Sequence, residues 1–195
     1  MIGLFFGSTT ANTERIAEII WDKLYDHGCD IHDIRTLIGS ESKFGIKSDN
    51  PDIAKYDKII LMIPTWDFGE WQEDWENLLP IIKEIDWKDK IVALIGLGDQ
   101  IGYHEYYQDC MGMMYDIITP LGAKCIGFTS TDGYEFTASK AVRDNKFVGL
   151  AIDEDSQPEL TMERIDKWLD VNTKYLTENL LQLNDPIWDK RWTAG

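Results

Sequence analysis

Short apolar runs alternate along the chain with segments whose apolar residues recur every three or four positions. Residues 1–6 (MIGLFF), 58–63 (KIILMI) and 91–95 (IVALI) are apolar almost throughout, which predicts strands buried on both faces. Residues 31–34 predict a short second strand. Residues 14–25 carry Ile16, Ile19, Ile20 and Leu24 at helical spacing, and residues 71–82 put Trp71, Trp75, Leu78, Leu79 and Ile82 on one helical face. Residues 105–121 predict a long helix ending near Gly122, and residues 159–181 predict the last one. Residues 124–128 open a fifth strand that 147–150 continue, and the polar stretch 129–146 between them reads as too irregular for a strand. Such alternation implies an α/β fold, a parallel sheet covered by helices on both faces. Ligands in such sheets bind beyond the carboxyl ends of the strands, where strand order reverses. The loops after strands one, three and four are therefore the places to look.

The first loop is Gly7-Ser8-Thr9-Thr10-Ala11-Asn12-Thr13-Glu14. It sets hydroxyls and an amide at a helix N-terminus, where free N–H groups and the helix dipole can hold a phosphate. It lacks the Gly-Lys-Ser/Thr ending of a nucleoside-triphosphate loop and contains no dinucleotide glycine pattern. Simple N-capping would use the same residues. The loop after strand three reads Pro64-Thr65-Trp66-Asp67-Phe68-Gly69-Glu70. Trp66, at the mouth of a central strand, offers a flat face to an aromatic ligand. The loop after strand four reads Gly96-Leu97-Gly98-Asp99-Gln100-Ile101-Gly102-Tyr103, with glycines for close backbone approach and a second flat face at Tyr103. A Gly-rich surface turn would look similar. Together the three loops outline a phosphorylated, planar ligand.

Composition narrows the class. The chain has 195 residues, 44% hydrophobic and 12% aromatic, enough for one domain with a substantial core. No apolar run approaches the roughly 20 residues of a membrane span, and residues 1–6 read as a strand, not a leader. Cys29, Cys110 and Cys125 are odd in number and lack metal or redox spacing, as expected of buried free thiols in a reducing cytoplasm. The net charge of −16, from 35 acidic and 19 basic residues, excludes nucleic acid and anionic membrane as partners. It is compatible with attraction to a basic protein.

At these three loops the sequence resembles the flavodoxin family. Gly7 to Glu14 resembles its FMN-phosphate loop, Pro64 to Glu70 its first flavin-stacking loop and Gly98 to Tyr103 its second. Asp132-Gly133-Tyr134-Glu135-Phe136 and residues 147–154 are similar to the long-chain class, in which an extra loop interrupts the fifth strand. The wording Trp66-Asp67-Phe68-Gly69-Glu70 is similar to the second flavodoxin type of some bacteria. The resemblance implies a flavodoxin-like three-layer sandwich with a five-stranded parallel sheet in the order 2-1-3-4-5. It covers an FMN-binding domain over residues 1–182 and leaves residues 183–195, with Pro186, Trp188 and Trp192, as a tail of unassigned role.

Carried over, the resemblance implies that Ser8, Thr9, Thr10, Ala11, Asn12 and Thr13 hold the phosphate and that Trp66 and Tyr103 sandwich the flavin. Pro64, Thr65, Asp67, Phe68, Gly69, Leu97, Gly98, Asp99 and Tyr106 meet its remaining edges. No catalytic residue and no metal is expected. Ala11 stands where the family usually has Gly; if that position needs a positive φ, Ala costs about 1 kcal/mol. The implied function is a low-potential, single-electron carrier that shuttles electrons between redox proteins from non-covalent FMN. Its acidic rim, Asp67, Glu70, Glu73, Asp74, Glu76 and Asp99, suits basic partners such as an NADPH-dependent flavodoxin or ferredoxin reductase and acceptor enzymes. The chain is expected to be a cytoplasmic monomer that binds neither nucleic acid nor membrane. The rival is a reductase of the same fold acting on quinones or flavins with NAD(P)H, which would have to leave one flavin face open to a second substrate.

Overall fold

The computed structural model describes residues 1–37 and 53–178. The expected tail, including Trp188 and Trp192, lies outside the described residues. The elements are β1 (Ile2–Phe6), α1 (Asn12–Leu24), β2 (Cys29–Asp33), β3 (Lys58–Trp66), β4 (Glu70–Trp71) and α2 (Glu73–Glu84). They continue with β5 (Ile91–Leu97), α3 (Asp109–Ile118), β6 (Lys124–Ile126), β7 (Thr129–Ser130), β8 (Val142–Arg143), β9 (Lys146–Phe147), β10 (Leu150–Ile152) and α4 (Thr161–Thr177).

The main sheet is parallel in the order β2-β1-β3-β5, and its far edge is shared by β6 and β10. β6 pairs with the first half of β5 (Val92 opposite Cys125), and β10 pairs with the second half (Gly96 opposite Ala151). These two pieces are the interrupted fifth strand, so the expected order 2-1-3-4-5 is what the sheet has. Apolar strands are possible here because side chains alternate between two covered faces. Phe5, Ile59, Leu61 and Ile63 pack with Trp75 and Ile82 of α2 and Met111 and Met114 of α3. Leu4, Phe6, Ile60 and Met62 pack with Ile16 and Ile20 of α1 and Ile165 and Trp168 of α4. Buried indoles keep a hydrogen-bond partner, Trp75 Nε1 donating to Met62 O (3.0 Å) and Trp168 Nε1 to Gly127 O (2.9 Å).

Several boundaries differ from expectation. Trp71 is not helical: it pairs with Thr65 in an antiparallel hairpin, which also extends β3 through Pro64 and Thr65 to Trp66. The four-residue spacing of Trp71 and Trp75 imitated a helix, but Gln72 is the N-cap and accepts from Trp75 N. The helix expected over 105–121 is confined to Asp109–Ile118, because Gln108 has a left-handed φ of 62° and residues 101–107 form turns. The fifth strand resumes at Leu150, not Phe147; Phe147 lies in β9, the middle strand of an antiparallel ribbon β7-β9-β8. The stretch 129–146 therefore does hold strand, in pairs too short for a hydrophobic period. Cys29 and Cys110 are buried and Cys125 half-buried, all as free thiols. Burial pushes the Cys29 and Cys110 thiols up to about 12. Among the described residues, no helix is long and apolar enough to cross a membrane.

Candidate functional site

β1, β3 and β5 are consecutive neighbours in the sheet, so the loops at their carboxyl ends share one edge of the molecule. In the first, Ser8 and Thr13 are buried, while Thr9, Thr10, Ala11 and Asn12 are exposed. Ala11 is the N-cap of α1, with φ 66° and ψ −5°, and no side chain caps the helix. The condition placed on Ala11 is thus met: a residue with a Cβ holds a left-handed conformation. The first-turn N–H groups are left for another acceptor. Ser8 Oγ is buried and has no hydrogen-bond partner among the described residues. Gln72, itself buried, ties this loop to the head of α2 by donating to Thr9 Oγ1 (3.2 Å) and Asp74 Oδ2 (2.6 Å). Desolvation is the main reason the Asp74 carboxyl sits above the usual carboxylate range.

The second loop is the tip of the β3–β4 hairpin. Pro64 is buried opposite Leu97 of β5. Thr65 Oγ1 accepts Cys110 N (3.1 Å), which fixes the hairpin against the start of α3. Trp66 is half-buried and has no ring partner among the described residues. Asp67 has a positive φ of 41° and Gly69 one of 86°, and Gly69 N closes the turn on Trp66 O (3.0 Å). Phe68, 69% exposed, stands edge-on to Tyr103 (6.2 Å) and Tyr106 (5.8 Å).

The third loop leaves the sheet at Leu97, and Gly98 N donates to Ile152 O (3.1 Å). Asp99 Oδ1 accepts Ile101 N (3.0 Å) and Gly102 N (2.8 Å), folding the chain into a tight turn. A Cβ at Gly102 would meet the Asp99 carboxylate and force it to shift out of this turn. The turn delivers Tyr103, 38% exposed, to the same rim. All the expected binding residues therefore sit on three adjoining loops, with Tyr106 placed by its contact with Phe68. The rim acids are mostly solvent-facing: Asp67, Glu70, Glu73 and Glu76 are exposed, and Asp74 and Asp99 are half-buried. Sequence reasoning placed Gln100 in the third loop without foreseeing its burial, and it missed Gln72 and Asp153. A carboxylate directly after the apolar Leu150-Ala151-Ile152 was the available signal for the last.

A family model for flavodoxin matches residues 4–168. The chain belongs to the flavodoxin family. It is 48% identical over 179 residues to Flavodoxin 1 of Escherichia coli K12, covering 91% of this chain and 93% of that one. It is 42% identical over 168 residues to a Nostoc flavodoxin, covering 86% and 92%. The Fusobacterium nucleatum flavodoxin, solved bound to flavin mononucleotide, superposes with a TM-score of 0.77 at 34% identity, over 90% of this chain and 98% of that one.

Proposed function

We propose that the three loops hold one FMN, its phosphate on the β1–α1 loop and its ring between Trp66 and Tyr103, and that the chain carries single electrons between redox proteins. The observation that carries this reading is the uncapped start of α1 beside the unpartnered, buried Ser8 Oγ. Buried polar atoms are rarely left without a partner, and this group of donors suits an oxyanion supplied from outside. The cradle needs no cation of its own: Arg15, the nearest in sequence, is engaged by Glu154. Ser8, Thr9, Thr10, Asn12 and Thr13 would hold the phosphate, with the backbone at Ala11. Pro64, Thr65, Asp67, Phe68, Gly69, Leu97, Gly98, Asp99 and Tyr106 would border the ring.

FMN, when bound, takes up and releases electrons one at a time. Trp66 and Tyr103 would cover its faces and exclude water, leaving no room for a second substrate; the chain is an electron carrier and not an enzyme. The exposed Asp67 and Glu70 and the half-buried Asp99 oppose any gain of negative charge in the site, which sets a low potential. The same acids suit basic redox partners, such as an NADPH-dependent flavodoxin or ferredoxin reductase and acceptor enzymes. We place the FMN domain at residues 1–182, with 183–195 as a separate tail, in a cytoplasmic monomer.

The test is a titration of apoprotein with FMN and riboflavin, followed by addition of NADPH alone. One FMN per chain, much weaker riboflavin binding and no bleaching by NADPH are expected. Equal affinity for riboflavin would sink the phosphate assignment, and bleaching by NADPH alone would restore the reductase.

A further inference from the structure

Gln100 and Asp153 are both completely buried, one just past β5 and the other just past β10. Asp153 Oδ2 accepts the backbone N–H of Gln100 (3.0 Å) and its side-chain Nε2 (2.7 Å). Asp153 Oδ1 accepts the N–H groups of Asp155 (3.1 Å) and Ser156 (2.7 Å). Gln100 Oε1 faces the other way and accepts the N–H of Glu135. A buried carboxylate that loses its donors is strongly destabilising, so any other placement of Gln100 is opposed. One residue further back, Asp99 Oδ1 accepts Ser156 Oγ (3.1 Å), and Asp99 O accepts Tyr103 N (3.1 Å). The turn 99–103 is thereby pinned to the turn after β10 at Asp99 and Gln100, with Tyr103 at its free end.

We propose that Gln100 and Asp153 are positioning residues for Tyr103, holding its ring where it covers the flavin. This rests on the reading that Tyr103 stacks on FMN. An apolar plug would fill the same space, but it would not fix the direction in which the turn leaves the sheet; four donors converging on one carboxylate do.

The experiment is a double-mutant cycle on the folded full-length chain, titrated with FMN and with riboflavin. Gln100→Met keeps the volume and deletes the side-chain hydrogen bonds. It should weaken FMN and riboflavin by the same factor, about tenfold if the stacking contact is largely lost. It should also raise the residual fluorescence of the bound flavin. In a Tyr103→Ala background it should change affinity less than about twofold, because the contact it protects is already gone. Gln100→Glu is the second variant. Its loss relative to the parent should shrink on acidification, as one shared proton restores a donor toward Asp153.

An equal loss in both backgrounds would mean a general structural role and overturn the proposal. So would full affinity in Gln100→Met while Tyr103→Ala binds weakly, or a Gln100→Glu deficit that ignores pH. If Tyr103→Ala itself binds FMN like the parent, the stacking reading has failed and this proposal fails with it.

Discussion

The phenol oxygen of Tyr103 lies 3.4 Å from Asp67 Oδ1, so the tips of the two ring-binding loops meet outside the sheet. That is long for an O–H···O hydrogen bond, which is ordinarily about 2.5–3.0 Å. The contact closes the rim loosely, and the value of Tyr103 lies in its ring. Tyr103→Phe is expected to leave FMN affinity within a factor of about two, while Trp66→Ala and Tyr103→Ala each weaken it by about 1–3 kcal/mol. Quenching of flavin fluorescence during titration measures all three. Parent-like binding by both alanine variants would remove the sandwich.

Ser8 tests the phosphate cradle separately. Its Oγ has no partner among the described residues, so Ser8→Ala should not destabilise the apoprotein. A hydrogen bond to a charged group contributes about 1.5–3 kcal/mol, so FMN affinity should fall by that order while riboflavin affinity stays unchanged. A matching loss for riboflavin would place Ser8 away from the phosphate.

The apolar strands were readable because β1, β3 and β5 are covered on both faces, which leaves no polar alternation to blur the pattern. The loops between them were readable because Trp66, Tyr103 and the run of hydroxyls are costly or unusual at exposed strand ends. What escaped depends on contacts distant in sequence. Nothing local to Gln100 announces that its amide will be buried against a carboxylate 53 positions away. Trp71 was drawn into a helix by its spacing from Trp75, although pairing with Thr65 decides its conformation. The ribbon β7-β9-β8 is assembled from two-residue strands, which are shorter than any periodic signal.

Asp155 offers a pH test. Desolvation, followed by the neighbouring Asp99, Asp153 and Glu154, raises its pKa above the ordinary carboxylate value. A folded-state pKa above the unfolded one means that the ionised group opposes folding. Its contribution is most favourable below the unfolded pKa and is lost as pH rises through the folded one. Asp155→Asn should therefore raise Tm at pH 7, and the difference should vanish below about pH 3.5, where the parent carboxyl is protonated in both states. A constant difference across that range would count against the charge argument.

The acidic rim makes a kinetic prediction. Electron transfer with a basic reductase should slow as salt rises, because the screening length shortens from about 10 Å at 0.1 M to about 3 Å at 1 M. Stopped-flow rates over that range decide the matter, and rates indifferent to salt would argue for docking through Phe68 and its apolar neighbours instead.

The last prediction compares two strained residues. Ala11 (φ 66°) and Asp67 (φ 41°) both occupy a region that disfavours a Cβ, at a cost of about 1–2 kcal/mol for an ordinary residue. Glycine removes that strain but loses about 0.4–1 kcal/mol through the entropy of the unfolded chain. Ala11→Gly should therefore stabilise the protein by about 0.5–1 kcal/mol. It should also tighten FMN, because the first-turn N–H groups would no longer be set by a strained cap. Asp tolerates the left-handed region better than Ala, and Asp67 also meets Tyr103, so Asp67→Gly should come out close to neutral in stability. Phe68 is not among the residues of positive φ, so Phe68→Gly relieves nothing, removes two ring contacts and should destabilise the hairpin tip. Denaturant midpoints for the three variants would fall in the order Ala11→Gly above Asp67→Gly above Phe68→Gly. A stabilising Phe68→Gly would show that the strain in this hairpin lies one residue later than the backbone places it.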